Sequence, residues 1–366
     1  MTRQAYRAAT TLVVAAFACG RTPATNTSPA PATGASTNPG TAVRVEPEPG
    51  ETRLTNIRRL TNGGENAEAY FSRDGNWLTF QSTRDGRTCD QQFVMRTDGS
   101  SLRRISNGAG KTTCGYFFDG DRKLFFASTH AHGDACPVRP DPSQGYVWGL
   151  DKFDIYTVDR DGNNLQRLTR ENIYTAEATL SPDGRTIVFT SLKDGDLEIY
   201  TMNVDGSNVR RLTTTPGYDG GPFFSPDGKQ IVYRAYHPAD STELRTYRDL
   251  LRRDMVRPNK MEIWVMNADG TGQRQVTQLG GANFAPFFTP DGRRIIFSSN
   301  HKNPRSRNFD LFLVNTDGTG LEQVTTNGDF DGFPQFSPNG RQLVWASNRH
   351  DARPGETNIF IADWKN

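Results

Sequence analysis

Short runs of alternating apolar and polar residues recur along most of the chain, and they share one pattern. Six of these runs are rich in β-branched and aromatic residues and read WLTFQS, KLFFAS, TIVFTS, QIVYRA, RIIFSS and QLVWAS. Five follow a tight-turn sequence of the type FSPDG, and the sixth follows the degenerate form YFFDGD. Alternation on both sides of such a turn predicts two β-strands, here called a and b, joined as a hairpin.

A second module follows five of the six hairpins and places Asp-Gly between two more strand-like runs, as in LEIYTMNVDGSNVRRLT. It predicts strands c and d, so that each repeat holds four strands. The sixth repeat ends after its strand c, whereas residues 56–61 (NIRRLT) match a strand d with no strand c before it. We therefore predict an all-β fold, a six-bladed β-propeller of four-stranded antiparallel blades, in which an N-terminal strand completes the last blade.

The repeats resemble those of the TolB-type six-bladed β-propeller family over residues 51–366, in the motif FSPDG…FSSN…EIWVMNADG. That family includes TolB of the Tol–Pal envelope system, propellers attached to peptidases, and other exported proteins. TolB carries an α/β domain before its propeller, whereas this chain has a Pro-rich segment there, which weakens the implication of a Tol–Pal role. Oligogalacturonate lyases carry a distantly similar propeller with a histidine-bound metal, so the resemblance also leaves an enzyme open.

The N-terminus has the pattern of an export signal. Residues 1–18 combine two arginines with an apolar run that is too short to span a bilayer. Ala-Phe-Ala before Cys19 resembles a bacterial lipobox, so we predict lipidation of Cys19, with ordinary signal cleavage as the alternative. Residues 19–50 are rich in Thr, Pro, Ala and Gly and predict a disordered tether. The expected location is the periplasmic side of the envelope, anchored to the outer membrane or free if Cys19 is not lipidated.

Chain direction divides the loops of the propeller between two faces. The a–b and c–d turns lie on one face, the turn face, and the b–c and d–a loops lie on the other, the loop face. The turn face has short Asp-Gly turns, whereas the loop face takes the insertions at residues 129–152, 236–260, 300–308 and 348–356. Because variable loops on a rigid scaffold commonly carry binding, we predict a ligand or partner site on the loop face.

Every blade places a basic residue four positions after the aromatic residue of strand b. These residues are Arg84, His130, Lys193, His237, His301 and Arg349. Strand a begins with a polar residue, and blades one and three add a glutamate two positions later. From these positions we predict the ligand-binding set Asp219, Asp331, Asn283, Glu68, Glu177, Arg84, Lys193 and Arg349.

These basic residues have a structural interpretation and two functional ones. Arg84, Lys193 and Arg349 could tie neighbouring blades together. His130, His237 and His301 have the chemistry of ligands for a divalent metal, although they belong to different blades. The third interpretation is a basic-rimmed pocket for an anionic ligand. The pattern requires no cofactor, and the one cofactor with which it is compatible is a divalent metal.

Three cysteines beyond Cys19 fall on the loop face of adjacent blades: Cys89, Cys114 and Cys136. One disulfide among them fits an exported protein, and we predict Cys89–Cys114. The insertion of blade four contains a helical pattern over residues 243–257, with an apolar side that predicts packing on the propeller.

The function predicted first is a non-enzymatic, membrane-tethered envelope propeller that binds a protein or peptide partner on the loop face. The alternative is a metal-assisted lyase or hydrolase that acts on an acidic carbohydrate. The chain has 43 basic and 41 acidic residues, a net charge of +2, so we expect no nucleic-acid partner. We expect a monomer that contacts the membrane only through its lipid anchor.

Overall fold

The predicted hairpins assemble into six blades around a central axis, and the prediction of an all-β six-bladed propeller is confirmed. The structure, a computed structural model, describes residues 42–141, 143, 145–353 and 355–365. The predicted signal peptide, the lipidation site Cys19 and most of the predicted tether lie outside the described residues. No helix in the described part of the chain combines the length and the hydropathy needed to cross a bilayer.

The strands follow the chain in the order that the repeats predict. Two N-terminal strands come first, and they are β1 (Val43–Val45) and β2 (Leu54–Arg59). Blade one holds β3 (Asn66–Phe71), β4 (Trp77–Ser82), β5 (Gln91–Arg96) and β6 (Arg103–Arg104). Blade two holds β7 (Thr112–Phe118), β8 (Lys123–Ser128), β10 (Asp154–Asp159) and β11 (Gln166–Arg167), with β9 (Trp148–Gly149) in its insertion. Blade three holds β12 (Thr175–Leu180), β13 (Thr186–Ser191), β14 (Glu198–Asn203) and β15 (Arg210–Arg211).

The remaining blades repeat this arrangement. Blade four holds β16 (Tyr218–Phe224), β17 (Gln230–Tyr236), β19 (Glu262–Asn267) and β20 (Arg274–Gln275). Its insertion adds helix α1 (Ser241–Leu251) and β18 (Met255–Val256). Blade five holds β21 (Asn283–Phe288), β22 (Arg294–Ser299), β23 (Asp310–Asn315) and β24 (Glu322–Gln323). Blade six holds β25 (Asp331–Phe336), β26 (Gln342–Ser347) and β27 (Asn358–Trp364).

The N-terminal strand closes the ring as predicted. β2 pairs antiparallel with β27, with Leu54 opposite Trp364 and Arg59 opposite Phe360. β1 then pairs with β2 as a fifth, outermost strand, in a segment that the sequence had assigned to the tether. Pairing with β2 gives the last blade its fourth strand. The two ends of the propeller then share a hydrophobic core.

Each inner strand carries the same irregularity near the axis. The register between strands a and b shifts in all six blades, and the residue at the shift has a left-handed backbone with φ between 50° and 61°. These residues are Glu68, Cys114, Glu177, Gly221, Ala285 and Phe333. A β-bulge redirects a side chain, so one residue per blade is placed at the central channel.

The two long insertions meet on the loop face. β9, from the blade-two insertion, pairs with β18, from the blade-four insertion, and Trp148 lies opposite Val256. Helix α1 begins at its N-cap Asp240, whose carboxylate accepts hydrogen bonds from the backbone amides of Thr242 and Glu243. It buries Tyr247 and Leu250 against the propeller, so the predicted packing of its apolar side is confirmed, although the helix starts and ends earlier than predicted.

Candidate functional site

The two arginines that follow the b strands, Arg84 and Arg349, cover aromatic rings of their own blades. The guanidinium carbon of Arg84 lies 5.5 Å from the ring centroids of Phe80 and Phe93. Arg349 lies 5.4 Å from Trp345 and 5.8 Å from Phe360. A cation above an aromatic face is stabilised by the ring quadrupole. This arrangement explains why a buried strand can end on a basic side chain.

The three histidines at the same position also pack on rings of strand c in their own blades. The ring centroids are 4.2 Å apart for His130 and Tyr156, 4.8 Å for His237 and Trp264, and 4.5 Å for His301 and Phe312. Burial lowers the pKa of His130 and of His301. Each histidine is therefore held within one blade.

No shared metal site emerges from these histidines. Nδ1 of His130 bonds Ser128 Oγ at 2.8 Å, and Nδ1 of His301 bonds Ser299 Oγ at 2.9 Å. His237 instead faces a carboxylate, that of Asp219. Within residues 42–141, 143, 145–353 and 355–365, no group of three His, Cys, Asp or Glu side chains is placed to hold an ion. The arrangement needed for a histidine-bound metal lyase is therefore not supported by the contacts of these side chains.

Arg349 forms the most deeply buried ionic group of the predicted set. Its Nη2 lies 2.8 Å from Glu51 Oε1 and 3.1 Å from Asp331 Oδ2. Burial raises the pKa of Asp331, although the neighbouring guanidinium opposes this, and Trp345 Nε1 donates to the same carboxylate at 3.0 Å. The three charged groups face one another and not the solvent, which fits the structural interpretation for Arg349.

Asp219 is equally buried and pairs with His237 across 3.0 Å. Burial raises the pKa of Asp219. Burial lowers the pKa of His237, but the hydrogen bond that its Nε2–H donates to this carboxylate, with the carboxylate's charge, outweighs burial and leaves that pKa raised. The nearby carboxyl of Glu198 has its pKa raised to about 7 by burial. Oδ2 of Asp219 and Oε2 of Glu198 are buried without a hydrogen-bond partner among the described atoms. The pair lies within blade four, and the link to blade three is the backbone N–H of Asp219, which donates to the carbonyl of Leu197 at 2.9 Å.

The remaining members of the predicted set lie in different surroundings. Asn283 is buried and donates to the carbonyl of Met261 at 2.9 Å, which links blades four and five. Arg84 reaches Asn66 Oδ1 at 3.3 Å within blade one. Lys193 is the most exposed of the basic set and pairs with Glu171 at the rim of the loop face.

Glu68 and Glu177 occupy bulge positions and do reach the axis. Glu68 Oε2 accepts a hydrogen bond from the backbone N–H of Cys114 at 3.1 Å, and burial raises the pKa of Glu68 to about 7. Glu177 pairs with Arg234, and its Oε2 accepts from the backbone N–H of Gly221 at 2.9 Å. These carboxylates therefore satisfy backbone groups of the next blade.

Trp148 covers the axial carboxylates on the loop face. Its ring centroid lies 5.1 Å from the guanidinium carbon of Arg234, 6.5 Å from the Tyr218 ring and 6.0 Å from the Phe284 ring. The blade-two insertion thus packs Trp148 over side chains of blades four and five at this end of the axis. Sequence reasoning missed both Trp148 and Arg234, because neither belongs to the repeated positions that it compared.

A concave site lies at the opposite end of the axis, on the turn face. It encloses about 600 Å³ and takes residues from all six blades, among them Ser72, Tyr116, Pro182, Phe223, Pro290 and Gln335. We call it the axial funnel. Tyr116, Phe223 and Phe287 form its aromatic floor, with centroids 6.3 Å apart for Tyr116 and Phe223 and 5.3 Å apart for Phe223 and Phe287. Burial raises the pKa of Tyr116 to about 12, so its hydroxyl stays neutral.

The funnel has the chemical character of a binding pocket. Aromatic and proline side chains line its walls together with serines of the turns and charged residues such as Arg73, Asp121 and Asp183. Gln335 Oε1 accepts a hydrogen bond from the backbone N–H of Phe71 at 2.5 Å. Asp121 accepts from the backbone N–H groups of Arg73 and Asp74 at 2.9 Å each. The repeated turn sequences that build this mouth were visible in the sequence, but they were interpreted only as turns.

Sequence and structure comparisons place the chain among propellers. The family model described as the TolB beta propeller domain matches residues 139–244 and 254–366. An uncharacterized protein of Agrobacterium fabrum is 30% identical over 144 residues, which cover 34% of this chain and 40% of that protein. The Tol-Pal system protein TolB of Geobacter sulfurreducens is 41% identical over 59 residues, which cover 16% of this chain and 13% of that protein. The chain thus spans less than half the length of each of these relatives.

Solved structures with similar architecture have diverse activities. TolB from Acinetobacter baumannii is 17% identical with a TM-score of 0.53, covering 82% of this chain and 63% of that one. An oligogalacturonate lyase in complex with manganese is 16% identical with a TM-score of 0.54, covering 90% and 97%. A gluconolactonase from Xanthomonas campestris is 14% identical with a TM-score of 0.58, covering 90% and 99%. Identities this low show the common fold alone.

Proposed function

Because the chain belongs to the TolB β-propeller family, we propose that it is a membrane-tethered scaffold of the cell envelope that binds a protein or peptide partner. The export-like N-terminus with Cys19 and the similarity to a Tol-Pal system protein support the location. The partner would be an envelope protein or peptide, and the lipid anchor would keep the propeller near the membrane.

The observation that carries partner binding is the axial funnel. A cavity of about 600 Å³ with aromatic and proline walls can bury an apolar side chain and a few residues of a peptide. The funnel takes residues from every blade, so the closed ring holds it in shape before a partner arrives, which lowers the entropy lost on binding. We therefore propose that an apolar or aromatic segment of the partner inserts into the funnel.

The loop face predicted from the sequence is the alternative surface for the same partner. Its blade-two insertion exposes Val138, which is 94% accessible, and Tyr146, which is 41% accessible. Exposed apolar residues can mark a contact surface. However, the loop face has Trp148 over the axis, whereas the turn face has an open cavity there.

A comparison of two double variants separates the two surfaces. Pro226→Lys with Pro290→Lys places two charges at the funnel mouth, at exposed turn positions where stability should change little. Val138→Lys with Tyr146→Lys makes the matched change on the loop face. The tethered protein is cross-linked in its own envelope and purified, and the partners that it captures are quantified by mass spectrometry.

We expect the funnel variant to reduce capture of a specific envelope protein by at least about tenfold, and the loop-face variant to leave it intact. The reverse result would assign the partner to the loop face. Equal capture by wild type and both variants would refute partner binding through either surface.

A further inference from the structure

Two of the three described cysteines approach each other between blades one and two. Cys89 lies in the b–c loop of blade one, and its Sγ donates to the carbonyl of Gly110 at 3.1 Å. The N–H of Gly110 donates to the carbonyl of Asp134 at 2.8 Å, which draws the blade-two insertion to the same point. Cys136 follows Asp134 by two residues, and its thiol is near enough to contribute, after burial, to the raised pKa of Cys89.

Cys114 occupies a different place, so the predicted Cys89–Cys114 pair is wrong. Its backbone is left-handed at φ 53°, because it is the bulge residue of blade two, and its thiol lies beside the carboxyl of Glu68. There its Sγ lies 3.2 Å from Thr113 Oγ1, and its N–H donates to Glu68. Spacing along the sequence could not distinguish a cysteine on the axis from one at the rim.

We propose that Cys89 and Cys136 form a disulfide bond when the protein is exported. Each thiol loses its proton, one S–S bond forms, and the two electrons and two protons pass to the disulfide of a thiol–disulfide oxidoreductase, which leaves as a dithiol. The described structure holds all three cysteines as thiols, so the bond would form from this reduced state. The envelope is a compartment where such oxidation is expected.

The bond would fasten the insertion that covers the axis. It would join blade one to the start of the insertion, while Lys111 and Asp151, 3.1 Å apart, hold the other end. Trp148 lies between these two anchors. The inference does not depend on partner binding, because it concerns only how the insertion is held.

Burial and the neighbouring thiol raise the pKa of Cys89 to about 12. Few Cys89 thiolates are then available at neutral pH, so in the reduced, folded protein this thiol should attack external disulfides slowly. The reduced protein should accordingly react slowly with an alkylating reagent at Cys89 until it is unfolded.

The test is a thiol count on the full chain exported with Cys19→Ser, which removes the one cysteine outside the described residues. The protein is alkylated in denaturant before and after reduction, and its peptides are mapped by mass spectrometry. We expect one alkyl group before reduction, on Cys114, and three after it. A Cys114→Ser control should show none before reduction and two after.

A second readout is the thermal midpoint, which reduction should lower by about 5 °C in the wild type but not in a Cys89→Ser, Cys136→Ser variant. The mass measurement needs no variant that might fail to fold. Three alkyl groups before reduction, or a linked peptide that contains Cys114, would overturn the proposal.

Discussion

Replacing Arg349 by leucine should destabilise the protein strongly, because it leaves two buried carboxylates without their counter-ion. The side chains of Glu51 and Asp331 have no exposed surface, and that of Arg349 is 2% exposed. Removing one partner from a buried ionic group typically costs about 3–5 kcal/mol, since the remaining charge cannot be solvated. We therefore expect the free energy of unfolding to fall by about 4 kcal/mol, measured by urea denaturation at neutral pH.

Neutralising the partners tests whether charge is the cause. Adding Glu51→Gln and Asp331→Asn to Arg349→Leu removes the unpaired carboxylates and should recover at least about half of the loss. Arg341→Leu serves as a control, because this arginine is exposed on the turn face and should change stability by less than about 0.5 kcal/mol. A loss below about 1 kcal/mol for Arg349→Leu, or no recovery in the triple variant, would refute the reasoning.

Three further predictions follow from the axial and histidine contacts. Burial raises the pKa of Glu68 to about 7, so its stabilising contribution is complete below the pKa of an exposed glutamate and is lost as the pH rises through about 7. Glu68→Gln should reduce the fall in unfolding free energy between pH 5 and pH 8 by about 1–2 kcal/mol in urea titrations, and an unchanged profile would contradict this burial. Trp148→Ala should lower the unfolding free energy by about 2 kcal/mol and make the axis accessible to a fluorescence quencher. If the variant and the wild type are equally stable and equally quenched, the indole does not cover the axis. Dialysis against a chelator should leave the thermal midpoint unchanged, because His237 and His301 bond within their blades; a drop restored by manganese would revive the metal hypothesis.

The architecture could be predicted because its signals are local and repeated. Each Asp-Gly turn between two alternating runs specifies one hairpin, and the unmatched strand at each end of the domain specifies the closure of β2 on β27. The outermost strand β1 was missed because three residues carry no periodicity. The β9–β18 ribbon was missed because its two strands come from insertions about 100 residues apart, and no sequence pattern links them.

The side chains of the candidate site were harder to predict for a different reason. The repeat locates a residue on a strand, but it does not say whether that side chain faces solvent or the next blade. Asp219, Asn283 and Asp331 were expected at an open mouth, and the structure buries all three at blade junctions. A carboxylate or amide looks the same in sequence whether it binds a ligand or a neighbouring backbone group. Only the structure shows that these three side chains are buried.

The contacts of the repeated basic residues bear on where specificity can reside in this fold. Arg84, His237 and Arg349 differ in charge and shape, yet each packs on the aromatic rings of its blade and bonds the polar residue that begins strand a. A role repeated in several blades serves the ring as a whole and cannot distinguish one partner from another. Positions whose residue type changes from blade to blade can do so, and two such places lie along the axis. Trp148 packs over one end, and at the other end one motif position holds Phe223 and Phe287 but Gln335 in blade six. Substitutions at the axis should therefore alter recognition, whereas substitutions of the basic ring should alter stability first.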